Sequence, residues 1–155
     1  MIQSPYIPLT LYANSGTVPD LLLSFTQPLG GKEAVTYRAS AGLPNTIIPF
    51  NMQVVSSITT DDGRGTVATT NFTYDGGTWN QTERQFMGFR TVTATLPANA
   101  GETMRPQVIS TYQQSAACLG RISKVDHTDV AATILHTDRE TFILNTNAPR
   151  SCLVS

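Results

Sequence analysis

Residues 53–74 read QVVSSITTDDGRGTVATTNFTY, and this stretch decides the fold class. Two runs rich in β-branched residues, 53–60 and 66–74, flank the turn-forming sequence DDGRG. Two such runs around an Asp-Gly turn are typical of a β-hairpin. Alternation along the second run places Phe72 and Tyr74 on one face and the intervening threonines on the other. The stretch therefore predicts an antiparallel hairpin.

Further strand patterns lie on both sides of this hairpin. The run 34–38 alternates in polarity after a Gly-Gly pair, and the run 89–96 alternates strongly before it stops at Pro97. Shorter strands are expected at 106–112, 119–125, 130–135 and 140–144. Helix is expected only as a short turn near 113–117. The predicted fold is all-β, an antiparallel meander that forms a small sandwich or an open barrel-like sheet with little helix.

The composition limits the possible classes of function. Charged residues make up 14% of the 155 residues, against roughly 25% in an average globular chain. The formal net charge is −1, which excludes a basic nucleic-acid footprint and a polybasic membrane patch. No apolar run approaches the roughly 18 residues that a membrane-spanning helix needs. The start of the chain lacks the basic and apolar regions of a signal peptide, so none is expected.

Histidine, cysteine and aspartate side chains are the candidates for catalytic or metal chemistry. A cysteine nucleophile at Cys118 would need a nearby histidine as base and an aspartate to orient it. Five residues could cluster around a metal if their two strands paired: Asp126, His127, Asp129, His136 and Asp138. No nucleophile elbow or metal-ligand spacing accompanies them. Structural histidines are therefore the favoured interpretation, and no catalytic residue, cofactor or metal is predicted.

Cys118 and Cys152 are the two cysteines of the chain. A bridge between them would require an oxidising compartment and a geometry that their spacing does not establish. Two independent thiols are the favoured interpretation.

The segment 82–89, TERQFMGF, is the most informative part of the chain. Phe86 and Phe89 are large apolar groups joined through Gly88, which suits a tight bend or bulge. The predicted structural motif comprises Trp79, Glu83, Arg84, Phe86, Gly88 and Phe89. We expect its rings to be buried at a corner of the sheet, with the charged pair forming charge-assisted hydrogen bonds. The alternative is an open platform on which a sugar or another ligand stacks.

The same segment carries a resemblance to a known family. YDGGTW at 74–79, followed by ERQFMGF at 83–89, resembles the Arg-x-Phe-x-Gly-Phe signature of the SpvB and insecticidal toxin complex B-component proteins, relatives of the Rhs and YD-repeat shells. The lead-in resembles the same family in the same order, with DLL at 20–22, GG at 30–31, VTYRAS at 35–40, IPF at 48–50 and VVSSI at 54–58. Together these elements cover residues 19–97.

The resemblance implies a non-catalytic, all-β segment of a hollow shell that encloses or delivers a toxic cargo, as part of a secreted or extracellular toxin. It divides the chain into an irregular N-terminal arm at 1–18, a toxin-shell-like β segment at 19–97, and further strands with a flexible tail at 98–155. Other segments or subunits of the toxin complex are the implied partners. Because few lysines guard the open strand edges, we also expect a homo-oligomer formed by edge pairing. A carbohydrate- or surface-binding module, or a small hydrolase, is the alternative.

Overall fold

The computed structural model describes residues 20–98, 101–102, 105–129, 131–147 and 151–155. The predicted N-terminal arm lies outside these residues. The described residues form the strands β1 (Ser24–Thr26), β2 (Lys32–Ala39), β3 (Gln53–Asp61), β4 (Val67–Asp75), β5 (Trp79–Asn80), β6 (Gln85–Phe86), β7 (Thr91–Thr95), β8 (Gln107–Tyr112), β9 (Ile122–Thr128), β10 (Ile134–Arg139), β11 (Phe142–Asn145) and β12 (Ser151–Val154).

The hairpin predicted from residues 53–74 is confirmed. Strands β3 and β4 pair antiparallel from Ser57 opposite Asn71 to the turn. In the turn, the Asp62 carboxylate accepts backbone hydrogen bonds from Arg64 at 2.7 Å and Thr66 at 3.0 Å. Both hydrogen bonds lower the pKa of Asp62, and the one from Thr66 has the larger effect. The aspartate of the turn sequence therefore stabilises the turn through its side chain, as in an Asx turn.

The main sheet is an open antiparallel meander of eight strands. Its order is β1-β2-β3-β4-β7-β8-β9-β10, with β1 at one edge and β10 at the other. The hairpin β5–β6 is inserted between β4 and β7 as a separate two-stranded sheet. No helix occurs in the part of the chain that the structure describes, and thus none with the length and apolar character that a membrane crossing requires. The predicted all-β class is confirmed, in an open sheet that does not close into a barrel.

The two faces of the main sheet differ in polarity. Register and alternation place five side chains on one face, which we call the apolar face: Phe72, Tyr74, Val92, Ala94 and Val108. The opposite face is rich in threonine, and the hydroxyls of Thr59 and Thr69 form a hydrogen bond of 2.9 Å across β3 and β4. On the apolar face the five side chains are only half-buried. The buried hydrophobic residues among those described are Leu43, Val54, Met87 and Cys118.

Two strands near the C-terminal end differ from their predicted bounds because side chains and glycine form turns there. Strand β9 begins at Ile122 instead of 119, because Gly120 takes a φ of +76° within the turn that precedes the strand. Strand β10 begins at Ile134 instead of 130, because the Asp129 carboxylate accepts backbone hydrogen bonds from Ala131 and Thr133, each 2.8 Å. Both shifts come from local turn chemistry.

The prediction of two independent thiols is wrong. Cys118 and Cys152 form a disulfide with a Cα–Cα distance of 5.2 Å, inside the range that such a bond requires. Cys118 is 1% exposed in the turn between β8 and β9, and Cys152 lies half-buried on β12. The bridge joins the main sheet to the hairpin of β11 and β12, whose two strands pair with each other.

Candidate functional site

The short hairpin β5–β6 presents the predicted motif. Trp79 pairs with Phe86, and a loop of residues 81–84 joins the strands. Asn80 closes the loop, because its side-chain oxygen accepts backbone hydrogen bonds from Thr82 at 2.9 Å and Glu83 at 3.1 Å. Arg84 has a φ of 51°, in the left-handed region. Glu83 and Arg84 are exposed residues of this loop.

A close backbone approach at Gly76 and Gly77 fixes the position of this hairpin. Both glycines are buried. The segment before β3 lies across them: Ile47 N–H donates to Gly77 O at 2.7 Å, and Gly77 N–H donates to the Thr46 hydroxyl at 3.2 Å. A Cβ on Gly77 would lie 2.8 Å from Phe89 Cε1 and 2.9 Å from Thr46 Cγ2. Only a residue without a side chain fits at this crossing.

Gln114, which sequence reasoning missed, ties the two ends of the motif together. Its side-chain nitrogen donates to Gly76 O at 2.7 Å and to Gly88 O at 2.9 Å. Its side-chain oxygen is buried without a hydrogen-bond partner. Gly88 adopts a φ of +76°, in the left-handed region that glycine favours. Gln114 therefore holds both glycine carbonyls from the turn that follows β8.

The aromatic side chains form a chain of ring contacts, three of them edge-to-face and the Tyr74–Phe89 contact tilted, which includes Phe50, a second residue missed from the sequence. Phe50 lies 5.5 Å from Trp79 and 6.0 Å from Phe86, measured between ring centroids. Phe86 in turn lies 5.5 Å from Phe89, which lies 5.0 Å from Tyr74. Contacts of this geometry add to the stability gained by burial. Trp79, Phe86 and Phe89 are half-buried instead of fully buried as expected.

Tyr74 anchors this chain of rings to the sheet. Its hydroxyl donates to Val55 O at 2.9 Å. Partial burial raises the pKa of Tyr74, and Tyr112 contributes in the same direction. The polar atom of this ring is therefore already occupied within the protein.

An open apolar pocket of about 320 Å³ lies beside the rings. It is lined by Phe86, Met87, Gly88, Phe89, Val92, Tyr112, Leu119 and Gly120. Two rings of the motif thus border a pocket, whereas the sequence predicts that they pack wholly against the core. The pocket continues the apolar face of the sheet through Val92, and it offers shape and apolar contact with very few polar groups.

The histidine and aspartate side chains come together in part, because β9 and β10 pair. His136 lies opposite His127, and the Asp138 carboxylate is 2.9 Å from His136 Nε2 and 3.8 Å from His127 Nε2. Asp129 instead belongs to the turn before β10. Among the residues that the structure describes, no group of three histidine, cysteine or acidic side chains is arranged to hold a metal. Cys118, being oxidised, has no thiol to serve as a nucleophile.

Asp126 points to the other face of the sheet, where it is 4% exposed. Lys124 Nζ lies 2.6 Å from one carboxylate oxygen, and the Thr137 hydroxyl donates to the other at 2.8 Å. Both contacts lower the pKa of Asp126, and the one with Lys124 has the larger effect. This carboxylate is held in its charged form as a structural group.

The open antiparallel meander, with the short aromatic hairpin beside it, defines an all-β module. A family model for the insecticide toxin TcdB middle/N-terminal region matches residues 2–131. The chain belongs to this family, and the resemblance identified from the sequence is confirmed. No curated protein matches it.

The fold is also similar to part of a solved toxin structure. The crystal structure of TcdB2-TccC3 without its hypervariable C-terminal region matches with a TM-score of 0.64 and 15% sequence identity. The match covers 81% of this chain and 10% of that chain. The chain therefore spans about a tenth of the length of the protein it resembles.

Proposed function

We propose that this chain is a non-catalytic structural β segment in the shell of a bacterial toxin complex, where it helps to enclose or deliver a toxic cargo. The other segments or subunits of that complex are its partners, and the assembled toxin is secreted or extracellular. The aromatic motif around Trp79, Phe86 and Phe89 has an internal role, which is to fix the β5–β6 hairpin onto the sheet.

The observation that carries this proposal is the half-covered apolar face. An independent domain buries one face of its sheet against a second layer. Here Val92, Ala94 and Val108 stay half-buried, and only four hydrophobic residues among those described are buried. We infer that further protein covers the apolar face of this sheet. The match to a toxin region supports neighbouring segments of a toxin complex as that protein.

The sheet edges and the apolar surface near them support the same conclusion. All six residues of β10 are exposed, including Ile134 and Leu135 at 58% and 69%. At the opposite edge, Leu22 and Leu23 are 56% and 65% exposed. Exposed apolar side chains beside an unpaired strand are typical of an interface with other strands.

Cysteine accessibility in the full-length toxin protein tests the proposal. Ala94→Cys places a thiol on the apolar face, and Thr93→Cys places the matched control on the threonine-rich face. We expect maleimide to label Cys at position 93 and to label position 94 only after denaturation, because neighbouring segments cover the apolar face. Equal labelling of the two native variants would contradict the proposal. Cys118 and Cys152 form a disulfide, so neither of them reacts with the maleimide.

The isolated chain should also self-associate, through edge pairing or through its apolar face. Size-exclusion chromatography with light scattering should show a mass that rises with concentration. A strict monomer at high concentration would contradict self-association through the strand edges or the apolar face.

A further inference from the structure

The C-terminal hairpin, formed by β11 and β12, lies outside the main sheet. Its strands pair from Phe142 opposite Val154 to Asn145 opposite Ser151. Ile143, Leu144, Leu153 and Val154 are each between 45% and 61% exposed. A two-stranded hairpin alone is at best marginally stable in water. Its order therefore depends on what attaches it to the rest of the molecule.

The attachment that the structure shows is covalent. The disulfide joins Cys152 on β12 to Cys118 in the turn between β8 and β9. That turn is well held by the main sheet, since Gln113 N–H donates to Arg121 O at 2.8 Å and Arg121 N–H donates to Cys118 O at 3.0 Å. A backbone hydrogen bond of 3.0 Å from Glu140 to Ser123 adds a second, weaker tie at the start of the hairpin.

The same turn forms one wall of the apolar pocket. Leu119 and Gly120, directly after Cys118, line it together with Phe86 and Phe89. The disulfide thus connects the C-terminal hairpin to the pocket beside the aromatic motif. Breaking the disulfide is therefore expected to affect both the C-terminal hairpin and the pocket.

We propose that the Cys118–Cys152 disulfide is a redox latch that holds the C-terminal hairpin on the sheet. This inference is independent of the proposed shell function. In an oxidising compartment the latch is closed, and a dithiol reductant opens it. The main sheet survives opening, because its strand pairings from β1 to β10 involve neither β11 nor β12.

The exposure of the two sulfur-bearing residues sets the order of the exchange. Cys152 is half-buried, whereas Cys118 is 1% exposed. One thiolate of the dithiol attacks the Cys152 sulfur, forms a mixed disulfide and releases Cys118 as a thiolate that takes up a proton. The second thiol of the reductant then displaces Cys152 as a thiol, and the reductant leaves as a disulfide. Two electrons and two protons have passed to the protein.

Hydrogen exchange followed by mass spectrometry tests the latch in the whole chain. After treatment with dithiothreitol, we expect amides of β11, β12 and the turn at 116–120 to exchange about tenfold faster or more, as in local unfolding. Amides of β3 and β4, the internal control, should keep their rates. The double variant Cys118→Ser/Cys152→Ser should match the reduced protein without reductant and should not respond to dithiothreitol.

Three results would overturn the proposal. An intact mass that corresponds to two free thiols before reduction would show that the disulfide does not form. Unchanged exchange in β11 and β12 after complete reduction would show that other contacts hold the hairpin. Faster exchange in β3 and β4 as well would show that the bridge supports the whole fold instead of one hairpin.

Discussion

The crossing at Gly77 gives the sharpest test of how the aromatic motif is held. In Gly77→Ala the new methyl group would lie 2.8 Å from Phe89 Cε1 and 2.9 Å from Thr46 Cγ2. Both distances are well inside van der Waals contact, so the ring or the backbone must shift. The φ of Gly77 lies outside the left-handed region, so the cost is steric and not conformational.

The expected size of the effect follows from two opposing contributions. Overpacking a well-packed site costs about 1–3 kcal/mol, while a Gly→Ala change gains about 0.4–1 kcal/mol by restricting the unfolded chain. Gly77→Ala should therefore lower the free energy of unfolding by about 0–2.6 kcal/mol, and should be about 1–3 kcal/mol less stable than a Gly→Ala variant that makes no clash. Gly31→Ala is the matched control, because its Cβ would meet the nearest atom, Asp61 O, at an ordinary 3.5 Å. That variant should be neutral or slightly stabilising.

Urea denaturation, monitored by far-UV circular dichroism and by the fluorescence of Trp79, measures these differences. A double-mutant cycle with Phe89→Ala isolates the clash, since removing the ring removes the shortest contact. We expect the double variant to be more stable than the sum of the single effects implies, by about 0.5 kcal/mol or more. Strict additivity, or a Gly77→Ala variant as stable as Gly31→Ala, would refute the close-packing explanation.

Two further predictions concern polar groups. The lowered pKa of Asp126 means that its charged form stabilises the folded state above the ordinary pKa of 3.8, and that this contribution is lost as the pH falls through the lowered value. Lys124→Met should therefore have a lower free energy of unfolding than the native chain at pH 7, measured by urea titration. This difference should shrink below pH 3.8, and a difference that stays the same there would contradict the assignment. Gln114→Glu replaces a donor to two carbonyl groups with an acceptor, and should cost about 1–3 kcal/mol in the same assay. Gln85→Glu, at an exposed position, serves as the control. An equal loss of stability in both variants would show that the hydrogen bonds from Gln114 to the two carbonyl groups do not stabilise the fold.

Local signals account for the parts of the fold that the sequence predicts well. The β3–β4 hairpin depends on alternation and on a turn within one short stretch, so both could be recognised without knowledge of the rest of the chain. The left-handed backbone at Gly88 is likewise a property of a single residue. In the same way, the Asx turn at Asp129 has a local signal, an aspartate followed closely by small residues, that the strand prediction at 130–135 overlooked.

Contacts between distant residues account for what the sequence could not show. Gln114 reaches carbonyl groups 38 and 26 residues earlier in the chain, and Phe50 meets rings on a hairpin that follows two further strands. The disulfide required a Cα–Cα distance that no spacing rule supplies. The partial exposure of the rings depends on how the described residues cover the whole sheet, which no short stretch of sequence specifies.

The order of strands in the main sheet has a consequence for how the molecule forms. Each strand pairs with the one before or after it along the chain, except where β5 and β6 are inserted between β4 and β7. Topologies dominated by such near-neighbour contacts close small loops and fold quickly. The sheet can therefore grow in the direction of synthesis, one strand at a time, while later parts of the polypeptide are still inside the ribosome. The cross-link between Cys118 and Cys152, which spans 34 residues, would then form only after β12 has emerged.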